Sequence, residues 1–405
     1  MIRRGWAALL VLTGINLFNY LDRWVVAAVA ESIKRSELRL TDTELGSLAT
    51  GMLVVYTLTA PLFGRLGDTR NRPRLLAFGV ALWSAATALG GLARSFAGLI
   101  LARAAVGVGE AAYGSISPSL LADYFPRDRR GRVFAIFFAA IPVGSALGYV
   151  VGGLMDHLFG WRRAFFVAGV PGLLLAALAL VLHDPPRGQS DAAPQSVPPD
   201  ARAVFAALAR NRRYVLTVLG YAAYTFALGG IAYWMPAFLE RIRGVPRVQA
   251  TAQFGAIVVA TGLAGTALGG WLGDRLLRRT PAAYLWVSGV ATLVAAPLML
   301  TSLMATTPLA YWPSVVAAEL LLFVSTGPIN SEIVNAVSPH VRATAMAVSI
   351  FAIHAIGDVP SPLLVGMIAD AGSLATGVLI LPAAALVGGI IWMYGAVQAD
   401  KSSRA

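Results

Sequence analysis

Apolar stretches recur along the chain at roughly 6–30, 44–64, 75–94, 96–122, 133–157, 164–183, 214–239, 250–276, 282–304, 309–335, 342–369 and 373–397. Each is near the roughly 20 residues that a helix needs to cross hydrocarbon. Unpaired backbone amides and carbonyls cannot face lipid, so each stretch predicts a helix rather than an open strand. Glycines and prolines inside them, such as Gly107, Gly109, Pro118 and Pro142, are normal where membrane helices pack closely or bend.

Most breaks between the stretches are short. Residues 184–213 are different: Asp184-Pro185-Pro186 is followed by three further prolines between Asp191 and Asp200. This composition reads as a linker. Its second half, Ala201–Arg213, predicts a short basic helix lying on the membrane. Six stretches precede the linker and six follow it. The expected domains are therefore an N-terminal six-helix bundle over 1–183, a linker over 184–213 and a C-terminal six-helix bundle over 214–405.

Four ionisable residues break the pattern. Asp22 and Arg23 interrupt the first stretch, and Arg103 and Glu110 interrupt the fourth. A charge near the bilayer centre costs at least ~2.5–3.5 kcal/mol on insertion scales, so each is a candidate functional residue.

Composition supports a polytopic membrane protein. The 405 residues are 57% hydrophobic and only 13% charged, with a mean hydropathy of +0.70. A soluble chain of this size would need more polar surface. The absence of cysteine excludes disulfides, thiolate metal sites and cysteine nucleophiles. It is compatible with a bacterial inner membrane. The net charge of +12 does not point to nucleic acid, because the basic residues lie mostly in alternate loops. With a cytoplasmic N-terminus, inner segments hold 21 Lys/Arg and outer segments nine, which predicts both termini inside. Arg3-Arg4 and Ala28-Val29-Ala30 imitate the ends of a signal peptide. The run is too long, and Asp22-Arg23 would break its apolar region, so it is read as the first span.

The halves echo each other. Gly64-Arg65-Leu66-Gly67-Asp68 ends the second stretch, and Gly270-Trp271-Leu272-Gly273-Asp274 ends the eighth, 206 residues later. Gly152 and Asp156 are likewise matched by Gly366 and Asp370. Repeats of this size mark duplicated transporter halves with a mid-membrane substrate site.

Two six-helix halves, a central loop and the Gly-x-Leu-x-Asp…Arg pattern resemble the major facilitator superfamily. Within it, Asn19-Tyr20-Leu21-Asp22-Arg23 is similar to the Asn-Tyr-x-Asp-Arg signature of the Spinster (Spns) family. So are Arg103 through Tyr113, Gly160-Trp161-Arg162-Arg163-Ala164-Phe165, and His354 through Gly357-Asp358 to Ser361-Pro362. The resemblance implies a monomeric twelve-helix carrier with a lipid-like anionic substrate such as a lysophospholipid or sphingosine-1-phosphate, coupled to protons in bacterial relatives. It implies no cofactor.

The in-span charges suggest how such a carrier works. Asn16, Asn19 or Tyr20, and Arg23 share one helix face, and Asp22 points about 100° from Arg23. Arg103 and Glu110 are two turns apart, roughly 10 Å along their helix. The simplest arrangement is an Asp22–Arg103 contact with Glu110 one step below. Burial favours a protonated carboxyl and a nearby arginine favours the carboxylate. Asp22, Glu110 and Arg103 are thus candidates for proton coupling. Arg23 and Arg103 can bind a phosphate bidentately, and Asn16 and Tyr113 are further candidate substrate contacts. By family analogy Glu319 and His354 face the cavity. Asp68, Arg72, Asp274 and Arg275 are candidate gates: a carboxylate can cap a helix N-terminus, and the arginines can bridge to the other half.

The competing readings are a drug or organic-anion carrier of the same superfamily and a non-transporting receptor. An enzyme is not expected, because no metal-type histidine pair and no clustered Ser/His/Asp set occurs.

Overall fold

The computed structural model describes residues 2–125, 127–186, 201–337 and 342–404. All regular structure among them is helical. The elements are α1 (Ile2–Arg35), α2 (Asp42–Thr69), α3 (Arg72–Gly90), α4 (Phe96–Tyr124), α5 (Arg127–Phe159), α6 (Trp161–Leu180), α7 (Ala201–Arg210), α8 (Arg212–Arg241), α9 (Arg247–Leu277), α10 (Ala283–Met304) and α11 (Pro308–Asn335). They continue as α12 (Arg342–Ile353), a π-helical turn (His354–Asp358), α13 (Pro360–Ala371), α14 (Leu374–Gly377) and α15 (Ile380–Arg404).

Among the described residues, 11 helical segments are long and apolar enough to cross a membrane. α12, the π turn and α13 together make one of them, Ala345–Ala371. The 34-residue α1 is not in that set, and Asp22 and Arg23 interrupt its apolar run.

The chain divides into two compact units. The first comprises Met1–Gln195 and Leu239–Ala256, and the second Ser196–Phe238 and Ile257–Ala405. The end of α8, the following connection and the start of α9 thus pack with the first unit.

In the first unit, local chemistry sets the helix starts. Thr41 and Glu44 form a capping box on α2, each side chain accepting from the other's backbone N–H. Asn71 caps α3 by accepting from the Arg74 N–H, and Ser95 caps α4 by accepting from the Gly98 N–H. Gly160, at φ 84°, makes the turn between α5 and α6, a conformation that side-chain-bearing residues rarely adopt.

Two close helix contacts pack the first unit. A Cβ on Gly109 of α4 would lie 2.8 Å from Cβ of Trp83 on α3. A Cβ on Gly148 of α5 would lie 2.9 Å from Cβ of Trp24 on α1. Only glycine permits these approaches. The first sets α4 against α3 beside Trp83, and the second sets α5 against α1 beside Trp24.

The helix over Ala201–Arg210 is shorter than expected, because Arg212 and Arg213 open α8 instead. The Asn211 side chain accepts from the Tyr214 N–H, as a cap does. Nor does the apolar face of α7 simply lie on lipid: Val204 and Leu208 are buried against the protein, while Phe205 is exposed.

Candidate functional site

The first unit brings the four in-span charges into two pairs. Arg103 Nη1 of α4 lies 3.7 Å from Asp22 Oδ2 of α1. The same oxygen accepts from the Thr87 hydroxyl of α3 at 2.8 Å. Arg103 Nη2 also points at Met52 Sδ of α2, 2.7 Å away. Arg23 Nη2 donates to Glu110 Oε2 at 2.5 Å, and its guanidinium lies over the rings of Tyr20 and Tyr56.

Asp22, Arg103 and Glu110 are each no more than 2% exposed. Charged groups at such depth need partners. Yet Asp22 Oδ1, Glu110 Oε1, Arg103 Nε and Nη1, and Arg23 Nε have no hydrogen-bond partner. Within the protein the site is therefore paired by charge and incompletely hydrogen-bonded.

The Asp22–Arg103 approach matches the simplest arrangement drawn from the helix geometry. The partner of Glu110 differs. It is Arg23 of α1, 2.5 Å away, and not Arg103 of its own helix. Thr87 and Met52 escaped the sequence reading, since a threonine and a methionine in an apolar run look like ordinary packing residues.

Other candidates have more local attachments. Asn16 Nδ2 donates to Phe137 O of α5 at 2.9 Å. Tyr113 is buried, donates to Leu12 O at 2.9 Å and meets Trp83 edge-to-face. Both tie helices of the first unit together. In the second unit, Glu319 of α11 is 2% exposed and its Oε1 has no hydrogen-bond partner. His354 Nδ1 pairs with Asp358 Oδ1 at 2.9 Å inside the π turn.

Arg72 corrects one expectation. It was expected to bridge to the other half, but its guanidinium is buried within the first unit. Nη1 meets Asp123 Oδ2 at 2.5 Å, Nε meets Asp184 Oδ1 at 2.7 Å, and Nη2 donates to Pro185 O at 2.6 Å. The side chain of Asp68 lies outside the described residues. Asp274 accepts from the Tyr284 hydroxyl at 3.0 Å, and Arg275 lies over the exposed Trp271 ring, 5.5 Å from its centre. Both stay within the second unit.

A second charge cluster was not anticipated. Arg241 pairs with Glu31 and Asp42, the latter at 2.6 Å. Arg247 bridges Asp156 at 2.7 Å and Glu240 at 2.9 Å. Arg35 joins Glu31 and Glu240, and Lys34 joins Asp42. These four carboxylates and four cations all lie in the first unit. The available signal was the bunching of opposite charges at the ends of the first and seventh apolar stretches, which stand on one side of the membrane in the predicted topology.

The comparisons with known proteins bear on this architecture. The Major Facilitator Superfamily profile matches residues 12–358. Protein spinster homolog 1 of Rattus norvegicus is 37% identical over 396 residues, covering 91% of this chain and 74% of the relative. The chain belongs to the Major Facilitator Superfamily and to its Spinster branch. Homo sapiens protein spinster homolog 1 is 38% identical, with 90% and 74% coverage. The chain spans only 62% of the length of Drosophila melanogaster protein spinster, to which it is 34% identical over 91% of its own length.

Solved structures agree. A bacterial homologue of the human lysosomal transporter Spinster, in an inward-facing and unoccupied conformation, aligns with TM-score 0.85 at 25% identity, covering 99% of this chain and 97% of that one. The nucleoside transporter NupG shares the fold, with TM-score 0.76 at 13% identity. This Spinster protein is accordingly a multi-pass integral membrane protein of the superfamily's all-helical fold.

Proposed function

We propose that this Spinster protein is a proton-coupled secondary transporter that moves a lysophospholipid or similar anionic amphiphile by alternating access. One observation carries the reading: Asp22–Arg103 and Arg23–Glu110 form two buried acid–base pairs on α1 and α4, with open hydrogen-bonding positions on all four residues.

A static ion pair buried for stability is best served by full hydrogen bonding, and is often replaceable by apolar residues. Pairs with open positions suit a different task. A proton arriving on Glu110 neutralises it and frees Arg23 for an anionic headgroup. A guanidinium binds a phosphate through two parallel bonds, so substrate and carboxylate compete for the same arginine. Asp22 and Arg103 form the second station, with Thr87 orienting the carboxylate. Each carboxylate then holds its proton more or less tightly according to where its arginine is engaged.

In this reading α1 is the twelfth span, with Asp22 and Arg23 accommodated because they face protein rather than lipid. Both termini are cytoplasmic, and the protein is a monomer in a bacterial inner membrane. The lipid-like substrate comes from the Spinster kinship. The test is flux of lysophospholipid in proteoliposomes, with and without a pH gradient. Gradient-driven flux that survives Glu110→Gln with its pH dependence intact would remove the coupling role. Absence of lysophospholipid flux with transport of hydrophilic organic anions would remove the amphiphile.

A further inference from the structure

The second unit carries an apolar groove that the transport reading does not use. Its volume is about 540 Å³, and it is lined by α9, α10 and α11. Leu268, Leu272 and Leu276 form one wall, spaced four residues apart along a single face of α9. The stripe runs about 12 Å along the helix axis. Val287, Val290 and Leu321 face it. A lipid-facing helix surface is ordinarily convex. A concavity of this size falls within the range that holds a small-molecule ligand.

One end of the groove is bounded by residues with polar atoms held by α15. Thr280 and Trp286 line it. Both are held by Asp400 of α15: the Thr280 hydroxyl donates to one carboxylate oxygen, and Trp286 Nε1 to the other at 2.9 Å. Trp271 is exposed on the same stretch of α9, with the Arg275 guanidinium over its ring. Tryptophan with an adjacent cation marks the headgroup level of a membrane.

The same end concentrates positive charge. Arg275, Arg278 and Arg279 fall within five residues, flanking the groove residues Leu276 and Thr280. Among the described residues no carboxylate forms an ion pair with Arg278 or Arg279. The carboxylates nearby are already engaged, Asp400 as above and Asp274 by Tyr284. An apolar trough flanked by exposed arginines matches one occupant in both parts: an acyl chain joined to a phosphate.

From this juxtaposition we infer that the α9–α10–α11 groove is a site for an anionic glycerophospholipid of the surrounding membrane, one acyl chain in the groove and the phosphate on Arg278 and Arg279. The site is separate from the α1–α4 charge pairs, which lie in the other unit, and does not depend on what the transporter carries.

Native mass spectrometry of the purified full-length protein tests it, with equal amounts of phosphatidylglycerol and phosphatidylcholine of identical chains. Wild type is expected to retain phosphatidylglycerol preferentially. Arg278→Ala with Arg279→Ala should weaken that retention by about fivefold per arginine, with phosphatidylcholine unchanged. Val290→Trp fills the groove from a position 48% exposed, so it leaves the core intact; it should reduce phosphatidylglycerol retention with both arginines present. Thermal unfolding without added lipid reports whether each variant is folded. Equal retention of the two lipids by wild type, or undiminished phosphatidylglycerol on the folded arginine variant or on folded Val290→Trp, would overturn the assignment.

Discussion

Arg23 Nη2 and Glu110 Oε2 lie 2.5 Å apart, and the carboxylate side chain is 1% exposed while the arginine is 18% exposed. The pair is therefore asymmetric. Glu110 is sealed among helices, whereas Arg23 is partly exposed. In the proposed mechanism an anionic headgroup competes for the guanidinium at that exposed edge.

Glu110→Gln should remove the pH dependence of transport and leave Arg23 without a counter-charge. Breaking one side of a buried pair costs about 3–5 kcal/mol, whereas replacing both partners by apolar groups is often neutral. The double variant Arg23→Met with Glu110→Leu should thus regain thermal stability while remaining inactive in proteoliposome flux. Recovered flux in the double variant would make the pair purely structural.

Asp22→Asn keeps an oxygen for the Thr87 hydroxyl and removes only the charge facing Arg103. Because Arg103, 2% exposed, then lacks a counter-charge, stability should fall by about 3–5 kcal/mol, and gradient-driven flux should fall with it. Thr87→Val should give a milder version of the same loss, because it frees the carboxylate to turn away from its orientation. Gradient-driven flux as high in Asp22→Asn as in wild type would remove Asp22 from the coupling path.

Arg72 binds Asp123, Asp184 and Pro185 from the start of α3. Arg72→Ala should destabilise the first unit by about 3–5 kcal/mol, since two carboxylates lose their common partner. Arg72→Lys should recover little of that, because an ammonium cannot reproduce the guanidinium fork. Thermal unfolding in detergent measures both.

Gly109→Ala places a methyl 2.8 Å from Cβ of Trp83, against backbone as well as side chain. Overpacking of this kind costs about 1–3 kcal/mol, and here it pushes apart the two helices that hold Thr87 and Arg103. Both stability and flux should fall, as read by thermal unfolding and proteoliposome flux.

Arg241 and Arg247 tie residues 239–256 to Glu31, Asp42 and Asp156. Ser32 of α1 lies in this cluster, its hydroxyl donating to Asp156 Oδ2 at 2.7 Å; the protein contains no cysteine, so a single cysteine at Ser32 can be labelled without background. Arg241→Ala with Arg247→Ala should speed its labelling by a water-soluble maleimide. An unchanged rate would show that packing alone holds this segment.

The sequence by itself determined most of the architecture. Runs of some twenty apolar residues admit few alternatives to membrane helices, because hydrocarbon leaves backbone amides no outside partner. The repeat of Gly64–Asp68 at Gly270–Asp274 marked the two halves, and Asp22, Arg23, Arg103 and Glu110 stood out because charge in such runs is costly. Even the Asp22–Arg103 approach followed from depth counted along two helices. Only the tertiary structure decided the remaining partners. Which arginine serves Glu110, whether Arg72 turns inward, and which carboxylates meet Arg241 depend on helix rotation and on side chains reaching several ångströms. Periodicity reports which residues share a face; it does not report which face of another helix lies opposite. Gly109 brings α4 against α3 and Gly148 brings α5 against α1, whereas the charges pair across α1 and α4, a relation that only the packed bundle decides.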